Sequence, residues 1–433
     1  MKLSVAIKSD IGLARQHQED SFLVDEDLGL FVVADGMGGA VAGDLASRTA
    51  CEEIHNHVLD NRETLDQIGG GHSAEASKQA FELLRKAIEV ANGRIRALVA
   101  EDESLSGMGT TVVVVLAVGE HFYVAHVGDS RVYLLREGQL HQLTRDHSLV
   151  EELKAMGKVQ SVDDVKSRYR NTITRAVGVF DEVEPDTIDL TPLPKDRLLL
   201  CSDGVHGIIT EEDLKRSLGY PIPETAAEAL IRSANSMGGK DNITALVIAV
   251  DEVEPEKAAR TQDKLNLLRG VALFQYLTFD EQIKVASMLE ELHFAAGEHI
   301  IRDGEKGDRL YLLLEGEVWV TKRGAKVASL RRGDIFGEMA LLDKSPRSAD
   351  VTAFKASSCL ALDRTRFHSL VRECSPISVK MLWSLARIFS TRLRETTREL
   401  GMAQGVFSSS SNMPSFADND LYKEAFGETK DQI

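Results

Sequence analysis

Five short motifs rich in acidic residues and glycine follow one another in the first part of the chain. Most of their aspartates come directly after a run of apolar residues typical of β-strands, so strand ends can bring several carboxylates to one point. Carboxylates without an accompanying set of His and Cys suit hard divalent cations such as Mg²⁺ and Mn²⁺. The motifs are Arg15-Gln-His-Gln-Glu19-Asp20, Asp35-Gly36-Met37-Gly38-Gly39, Gly128-Asp129-Ser130-Arg131, Ser202-Asp203-Gly204 and Lys240-Asp241-Asn242.

The elements expected to position these motifs are a mixture of strands and helices. Apolar residues three and four positions apart predict helices over 43–59 and 77–100. A turn is predicted at Gly128-Asp129-Ser130, between two strand-like runs. The fold class is therefore mixed, with helices and antiparallel sheet. The predicted strands are 31–34, 110–118, 122–127, 132–135, 197–201 and 243–250.

Composition limits the classes of protein to which the chain can belong. Its 433 residues predict two or three domains, and its net charge of −17 argues against nonspecific binding to nucleic acid. The start of the chain lacks a signal-peptide core, and the longest apolar run, 112–118, is too short to cross a bilayer. The four cysteines are scattered, which is typical of thiols in a reducing cytosol. We therefore expect a cytoplasmic protein that binds neither nucleic acid nor membranes.

Residues 1–251 carry all five motifs in this order and thereby resemble the metal-dependent Ser/Thr protein phosphatases of the PPM (type 2C) family. The resemblance implies an α-β-β-α sandwich with two Mn²⁺ or Mg²⁺ ions between its sheets. Asp35 then bridges both ions, the Gly36 carbonyl completes the first site, and Asp203 and Asp241 bind the second ion. Bacterial members often bind a third ion, which here involves Asp129 together with Asp203.

The resemblance also assigns supporting roles around the expected ions. Glu19 matches a residue that acts through a water of the metal cluster, and Asp20 matches one that supports the cluster. Asn242 is expected to position the cluster or its water. Arg15 can hold a phosphate through a bidentate fork, which lysine cannot reproduce. Arg15, Asp35, Asp203 and Asp241 are thus the expected catalytic residues.

Two departures from the family pattern concern the leaving group and the substrate. Met37 stands where some members carry a His proposed as general acid, so water is the expected proton donor to the leaving oxygen. Ser167-Arg168 replaces a usual His-Pro pair in the segment that matches the family's flap, which is thought to influence substrate choice.

A second resemblance, over residues 266–400, is to the cyclic-nucleotide-binding domains of catabolite activator proteins and cyclic-nucleotide-dependent kinases. It rests on an opening helical segment at 267–274, β-roll glycines such as Gly304, Gly307 and Gly316, and a phosphate-binding cassette. The cassette is Phe336-Gly-Glu-Met-Ala-Leu-Leu342 followed by Pro346-Arg-Ser-Ala349. The resemblance implies a β-roll, jelly-roll-like domain with flanking helices.

The cassette has a direct chemical interpretation. Small residues such as Gly337 and Ala340 let backbone N–H groups approach a phosphate, and Arg347 neutralises it. Glu338 can accept a hydrogen bond from the ribose 2′-OH. Ser348 favours cAMP over cGMP, because Thr there often accompanies cGMP. The alternative is that Glu338 and Arg347 form a surface ion pair only.

Three further segments complete the predicted organisation. Residues 252–265 are expected to be a linker, partly helical from Glu256, and residues 401–433 a disordered tail. Predicted helices end the second domain at 364–372 and 377–400. The last one carries a stripe that either packs on the β-roll or forms a lid or homodimer contact; the stripe is Leu382, Leu385, Phe389, Leu393 and Leu400.

The sequence as a whole predicts a bacterial-type phosphatase for phosphoserine and phosphothreonine in proteins, regulated by cAMP or cGMP. Two alternatives stay open. In the first, the chain is a nucleotide-sensing interaction or scaffold protein whose phosphatase domain is inactive or incidental. In the second, the phosphatase is active and the C-terminal domain is a docking module that binds no nucleotide.

Overall fold

The computed structural model describes residues 1–69, 74–159, 161, 164–166, 169, 172–372 and 376–403. The chain divides into two compact units, the first spanning Met1–Thr261 and the second beginning at Gln262. None of the helices described in these ranges is long and apolar enough to cross a membrane.

The strands of the first unit form two antiparallel sheets. They are β1 (Lys2–Asp10), β2 (Asp20–Asp25), β3 (Leu30–Met37), β4 (Gly109–Thr110), β5 (Val112–Val118), β6 (His121–Val127), β7 (Arg131–Arg136), β8 (Gln139–Gln142), β9 (Asp186–Leu190), β10 (Arg197–Cys201) and β11 (Ile243–Glu252). One sheet has the order β1-β11-β10-β7-β8. The other has the order β2-β3-β5-β6-β9, with β4 beside β3.

Helices cover the outer face of each sheet. They are α1 (Ala40–Asp60), α2 (Arg62–Gly69), α3 (Ala74–Glu101), α4 (Leu149–Ala155), α5 (Asp203–His206), α6 (Glu211–Leu218) and α7 (Pro223–Ser236), with a 3-10 turn at Glu103–Leu105. Leu30, Val32 and Ala34 of β3 pack in one buried cluster with α1 and α3, which leaves the alternate residues Phe31 and Val33 for the inner layer. Leu199 and Val247 of the other sheet pack with α6 and α7. The result is an α-β-β-α sandwich.

Strand register brings the acidic motifs to one end of the sandwich. Asp20 at the start of β2 pairs with Asp35 near the end of β3. β1 ends at Asp10 opposite Ile243, so the segment after it lies beside Asp241. β10 ends at Cys201 opposite Ala245, and Asp203 follows two residues later.

The second unit is built around two four-stranded antiparallel sheets. The strands are β12 (Glu290–Phe294), β13 (His299–Ile301), β14 (Arg309–Glu315), β15 (Glu317–Lys322), β16 (Ala325–Arg331), β17 (Ile335–Phe336), β18 (Asp350–Ala353) and β19 (Ser357–Asp363). The sheet orders are β12-β19-β14-β17 and β13-β18-β15-β16. The helices are α8 (Pro255–Gly270), in which the unit boundary lies, α9 (Phe279–Met288), α10 (Met339–Leu342), α11 (Arg364–Arg372) and α12 (Pro376–Ala403).

Most predicted elements are found with ends that differ by a few residues, but one prediction is partly wrong. Residues 267–291 alternate apolar and polar residues with helical spacing, which predicts a continuous helical segment, whereas α8 ends at Gly270, α9 begins at Phe279, and Glu290 already belongs to strand β12. The reason is local: Thr278 and Glu281 form a capping box that starts a new helix.

The domain boundaries remain predictions. Helix α8 begins at Pro255, inside the segment expected to be a linker. Residues 404–433 of the predicted tail, Cys374, and Ser167-Arg168 of the flap segment lie outside the described residues.

Candidate active site and ligand pocket

Asp35 is fixed by backbone hydrogen bonds at the end of β3. The Thr111 N–H and the Thr110 hydroxyl both donate to its carbonyl at 2.8 Å. The next residue, Gly36, donates its N–H to the Glu19 carbonyl at 3.1 Å. A Cβ atom at Gly36 would lie 2.1 Å from the Gly43 carbonyl oxygen of α1, so only glycine fits here. The Asp35 carboxylate and the Gly36 carbonyl are thus held on adjacent residues of a rigid strand.

Asp203 lies where β10 gives way to the short helix α5. A Cβ atom on the following residue, Gly204, would lie 1.9 Å from the Asn242 carbonyl oxygen. The Ser202-Asp203-Gly204 turn is therefore in close backbone contact with the Lys240-Asp241-Asn242 segment. The side chains of Asp203 and Asp35 lie close enough for each to shift the pKa of the other. The structure therefore brings together two residues that are far apart in the chain and that were predicted to share one ion.

Arg15 lies on the loop between β1 and β2 and contacts a predicted metal ligand. Its Nη2 donates to Asp241 Oδ2 at 2.8 Å. The loop is held by Asn242, whose Nδ2 donates to the carbonyls of Ile11 and His17 at 3.0 Å each. Asn242 Oδ1 accepts from the Glu19 N–H at 2.8 Å. Asn242 thus positions the loop that carries Arg15 and Glu19.

Asp20 is a buried carboxylate with one satisfied oxygen. Its Oδ2 accepts hydrogen bonds from the hydroxyls of Ser202 and Thr244, each at 2.7 Å. Its Oδ1 is buried and has no hydrogen-bond partner among the described atoms. A buried carboxylate oxygen without a partner is costly, so this atom suits a cation or an ordered water.

Asp129 occupies the predicted turn between β6 and β7. Its carbonyl interacts with His206 Nε2 at 2.9 Å. Next to it, Arg131 forms a bidentate pair with Asp146, with Nε–Oδ1 and Nη2–Oδ2 distances of 2.7 Å. His206, Arg131 and Asp146 were given no role from the sequence, because their partners lie in other segments.

Burial and mutual repulsion raise the pKa of most of these aspartates. Burial, followed by the charges of Asp203 and Asp241, raises the pKa of Asp20 to about 7, although the Ser202 and Thr244 hydrogen bonds oppose it. Burial, and then the neighbouring carboxylates, raise the pKa of Asp35 well above its ordinary value. Burial with the charge of Asp241 raises the pKa of Asp203 to about 6, and burial with the charge of Asp203 raises the pKa of Asp129 to about 7.

This donor set fits hard divalent cations. The converging atoms are carboxylate oxygens and a backbone carbonyl, which are the ligands that Mg²⁺ and Mn²⁺ prefer. Burial, and then the neighbouring carboxylates, raise the pKa of Asp35, so a cation at this point would stabilise its charged form. Cys201 does not belong to the set, because its side chain packs in the outer helical layer and burial raises the pKa of its thiol to about 12.

A second cluster of side chains lies at the base of the predicted flap. His147 Nε2 lies 3.5 Å from Asp186 Oδ1, and Arg175 Nη1 donates to the same oxygen at 2.9 Å. The Gly128 N–H donates to His147 Nδ1 at 3.2 Å. Burial opposes ionisation of Asp186, but the hydrogen bond from His147 and the charge of Arg175 outweigh it and lower the pKa of Asp186. Arg175 already neutralises the Asp186 carboxylate, so we interpret the cluster as a structural clamp and not as an ion site.

The predicted nucleotide pocket in the second unit surrounds Arg347. Its Nη1 donates to the Gly337 carbonyl at 3.0 Å and its Nη2 to the Arg309 carbonyl at 2.9 Å. Neutral carbonyls hold the guanidinium without cancelling its charge, and burial lowers its pKa. Gly337 has a positive φ of 72° and begins the turn into α10, where Ala340 is buried. Ser348 is exposed beside Arg347.

Glu338 lies in the same pocket but does not pair with Arg347. Its residue is 5% exposed, and its Oε1 accepts a short hydrogen bond from Arg392 Nη1 of α12. Arg364 at the start of α11 donates to the Gly307 carbonyl at 3.0 Å and also to the Ala340 carbonyl. Arg364 and Arg392 were not predicted from the sequence, because nothing local marks either as a pocket residue.

Family models match both units. The model of protein phosphatase 2C matches residues 14–239, which is over half of the 433 residues. The chain belongs to the protein phosphatase 2C family. The model of the cyclic nucleotide-binding domain matches residues 291–374, so this phosphatase-family protein also carries that domain at its C-terminal side.

Curated relatives resemble the phosphatase unit. The serine/threonine phosphatase stp of Listeria welshimeri is 36% identical over 250 residues, covering 56% of this chain and 93% of the relative. Protein phosphatase PhpP of Streptococcus pneumoniae is 31% identical over 258 residues, covering 59% of this chain and 100% of the relative.

Solved structures agree with the fold of this phosphatase 2C unit. The crystal structure of the Mycobacterium tuberculosis serine/threonine phosphatase PstP/Ppp matches with a TM-score of 0.51 and 34% identity, covering 58% of this chain and 99% of that one. The catalytic domain of PstP in complex with two manganese ions matches with a TM-score of 0.50 and 33% identity, covering 58% and 99%.

Proposed function

We propose that this phosphatase 2C family member hydrolyses phosphoserine and phosphothreonine in proteins with the help of Mn²⁺ or Mg²⁺. The observation that supports this most is the convergence of largely desolvated carboxylates, with raised pKa values, at one end of the sandwich. The Asp35 carboxylate and the Gly36 carbonyl would hold one ion, and Asp35, Asp203 and Asp241 would hold a second. Asp129 together with Asp203 would hold a third.

The chain's own residues contribute binding, orientation and charge. When bound, the ions supply positive charge that stabilises the phosphoryl group and lowers the pKa of water. Arg15 binds the phosphate dianion through its guanidinium fork, and Asn242 keeps the Arg15 loop in place. Asp20 can offer its Oδ1, which has no hydrogen-bond partner among the described atoms, to an ion or to an ordered water, and Glu19 is the residue before it. Met37 has no proton to donate, so the leaving oxygen takes its proton from water.

The test is release of phosphate from a phosphothreonine peptide with and without Mn²⁺. We expect a metal-dependent rate that falls at least about a hundredfold in Asp203→Ala, because that carboxylate serves two ions. Asp251→Ala is the matched control, since Asp251 is an exposed aspartate at the far end of β11. Full activity in Asp203→Ala would contradict the assignment, and an inactive wild-type protein would favour the scaffold alternative.

The second unit supports binding of a cyclic nucleotide, with cAMP favoured over cGMP by Ser348. Arg347 is the proposed phosphate ligand, because its charge faces neutral carbonyls in a half-buried position. Gly337, Ala340 and Ser348 line the phosphate side of the pocket, and Glu338 binds the ribose hydroxyl. Calorimetric titration with cAMP and then cGMP tests this: we expect Arg347→Ala to abolish binding and the exposed Arg331→Ala to leave it unchanged.

The cyclic nucleotide changes the phosphatase rate if it binds a more active and a less active form of the protein with different affinities. The covalent link of both units in one chain motivates this proposal. Titrating cAMP into the Mn²⁺-dependent assay should change the rate saturably. A rate that responds to neither nucleotide, in a protein that binds one of them, would favour the docking-module alternative.

A homodimer through α12 is the remaining proposal about partners. The predicted stripe does not pack as one surface: Leu385 is buried and Phe389 is partly packed, whereas Leu382, Leu393 and Leu400 are exposed by 36%, 69% and 56%. Light scattering should give twice the chain mass, and Leu393→Glu should return it to that of one chain. The cytoplasmic location stays a prediction.

A further inference from the structure

The contact between Glu338 and Arg392 is unexpected for a carboxylate that is proposed to bind a ribose. We infer that Arg392 of α12 competes with the cyclic nucleotide for Glu338. Arg392 has to release the Glu338 carboxylate before a ribose hydroxyl can bind it. This inference rests on the proposed nucleotide pocket and deepens it by naming a residue that sets its affinity.

Burial explains why Glu338 needs a partner. Its side chain is 7% exposed, and a carboxylate at that depth is costly unless a cation or several donors satisfy it. Arg392 supplies the cation from a side chain that is 46% exposed. The guanidinium is anchored a second time, because its Nη2 donates to the Ile335 carbonyl at 3.1 Å. Arg392 thus bridges two residues at the edge of the cassette.

The competition follows from the chemistry of the two donors. A ribose hydroxyl offers one neutral hydrogen bond, whereas Arg392 offers a charge-assisted one to the same carboxylate. The nucleotide therefore has to give up part of its binding free energy to displace the guanidinium. The phosphate of the nucleotide gains binding free energy from Arg347. The carbonyls of Arg309 and of Gly337, the residue before Glu338, hold this guanidinium without neutralising it.

The position of Arg392 also connects the pocket to the end of α12. The inner part of the helix is anchored by buried Met381 and Leu385 and by the Lys380–Glu281 ion pair at 2.7 Å. From residue 390 to residue 398 the side chains are exposed, and Arg392 contacts the cassette from within this outer part. Displacing Arg392 removes that attachment, so nucleotide binding loosens the outer part of α12.

The experiment compares cAMP affinity of the full chain, measured by calorimetry, between wild type and Arg392→Ala. We expect the variant to bind cAMP about threefold to tenfold more tightly, because Glu338 no longer has to be released from Arg392 before the ribose binds. Arg398→Ala is the matched control: it removes an exposed arginine from the same part of the helix and should leave affinity unchanged. Because Arg392 is half-exposed, its loss should not unfold the domain.

A second readout is independent of the nucleotide. Amide hydrogen exchange at residues 390–403, measured without cAMP, should be faster in Arg392→Ala than in wild type and Arg398→Ala. Equal or weaker cAMP affinity in Arg392→Ala, with wild type binding normally, would overturn the inference about Arg392 alone. Binding by the variant but not by wild type would support both proposals, and no binding of cAMP or cGMP by either protein would overturn both.

Discussion

The aspartates of the proposed active site differ in how their charge is balanced. Asp241 pairs with Arg15 and Asp20 accepts from two hydroxyl donors, whereas Asp35 and Asp203 lie close to each other and to further carboxylates. Asp35 and Asp203 therefore have most to gain from a cation, because a neighbouring carboxylate is a poor partner for a desolvated charge. This ranking motivates two predictions at the scale of single residues.

The first concerns the shape of the Arg15 side chain. We expect Arg15→Lys to lower kcat/KM for a phosphopeptide about tenfold, because an ammonium group cannot bind two phosphate oxygens through a planar fork. Steady-state kinetics at saturating Mn²⁺ measures this. Arg48→Lys is the control, since Arg48 forms an exposed pair with Asp44 on α1. A kcat/KM for Arg15→Lys equal to that of wild type would show that Arg15 does not bind phosphate.

The second concerns pH. Burial and neighbouring charges raise the pKa of Asp20 and Asp129 to about 7 and of Asp203 to about 6. Below these values the carboxyl groups hold protons that a cation has to displace, and above them they do not. Mn²⁺ affinity should therefore increase about tenfold or more from pH 6 to pH 8 and then level off. Calorimetric titrations at several pH values test this, and an affinity that is constant or falls with rising pH would contradict it.

At the scale of elements, the close approach of β3 and α1 shapes the site. Gly36 of the strand and Gly43 of the helix leave no room for a side chain between them, and the Glu19 carboxylate lies close to Gly43. Strand, helix and loop are thus packed backbone to backbone around the first proposed ion position. Such a contact has no flexible side chain that can move aside.

This packing predicts a strong effect of one added methyl group. Gly36→Ala should lower the Mn²⁺-dependent rate at least about a hundredfold, because the strand has to shift by an ångström or more away from α1. Gly93→Ala is the control: Gly93 is exposed in α3 with open space around its Cα, so alanine there should raise the free energy of unfolding by about 0.5–1 kcal/mol. Chemical denaturation and phosphate release measure both. Normal activity in Gly36→Ala would contradict the proposed rigidity.

At the scale of the whole molecule, each unit has a core of its own. The first unit contains two clusters on the outer faces of its sheets. The second contains one cluster beneath its helices and another between its sheets. Independent cores indicate that each unit can fold alone. The Listeria relative, of which 93% is covered by an alignment with only 56% of this chain, is consistent with this.

Separate cores predict the outcome of a truncation. A protein lacking residues 262–433 should retain Mn²⁺-dependent hydrolysis of a phosphopeptide and should lose any response to cAMP, because the nucleotide pocket lies entirely in the removed unit. Rates measured with and without cAMP, on the truncated and full chains, test this. If the truncated protein has the full chain's rate in the absence of nucleotide and the full chain itself ignores cAMP, the proposed coupling is wrong.

The sequence by itself was enough to predict the chemistry proposed for the first unit. The expected ligand types, their order and their position after apolar runs are local properties, and these motifs carry the family resemblance that assigns roles to Arg15, Asp35, Asp129, Asp203 and Asp241. The main strands were predictable for the same reason: β10 was predicted with both ends correct. The cassette with Glu338 and Arg347 was also visible, because a short continuous motif carries it.

The tertiary structure decided which residues hold these groups in place. Ser202 and Thr244 reach Asp20 across 182 and 224 positions of the chain, and Arg392 reaches Glu338 across 54. Such contacts depend on strand register and on the direction in which a helix leaves its domain, and no local pattern encodes either. The split of the α12 stripe into buried and exposed leucines has the same cause: helical spacing predicts one face, but the neighbouring elements decide how much of that face is covered.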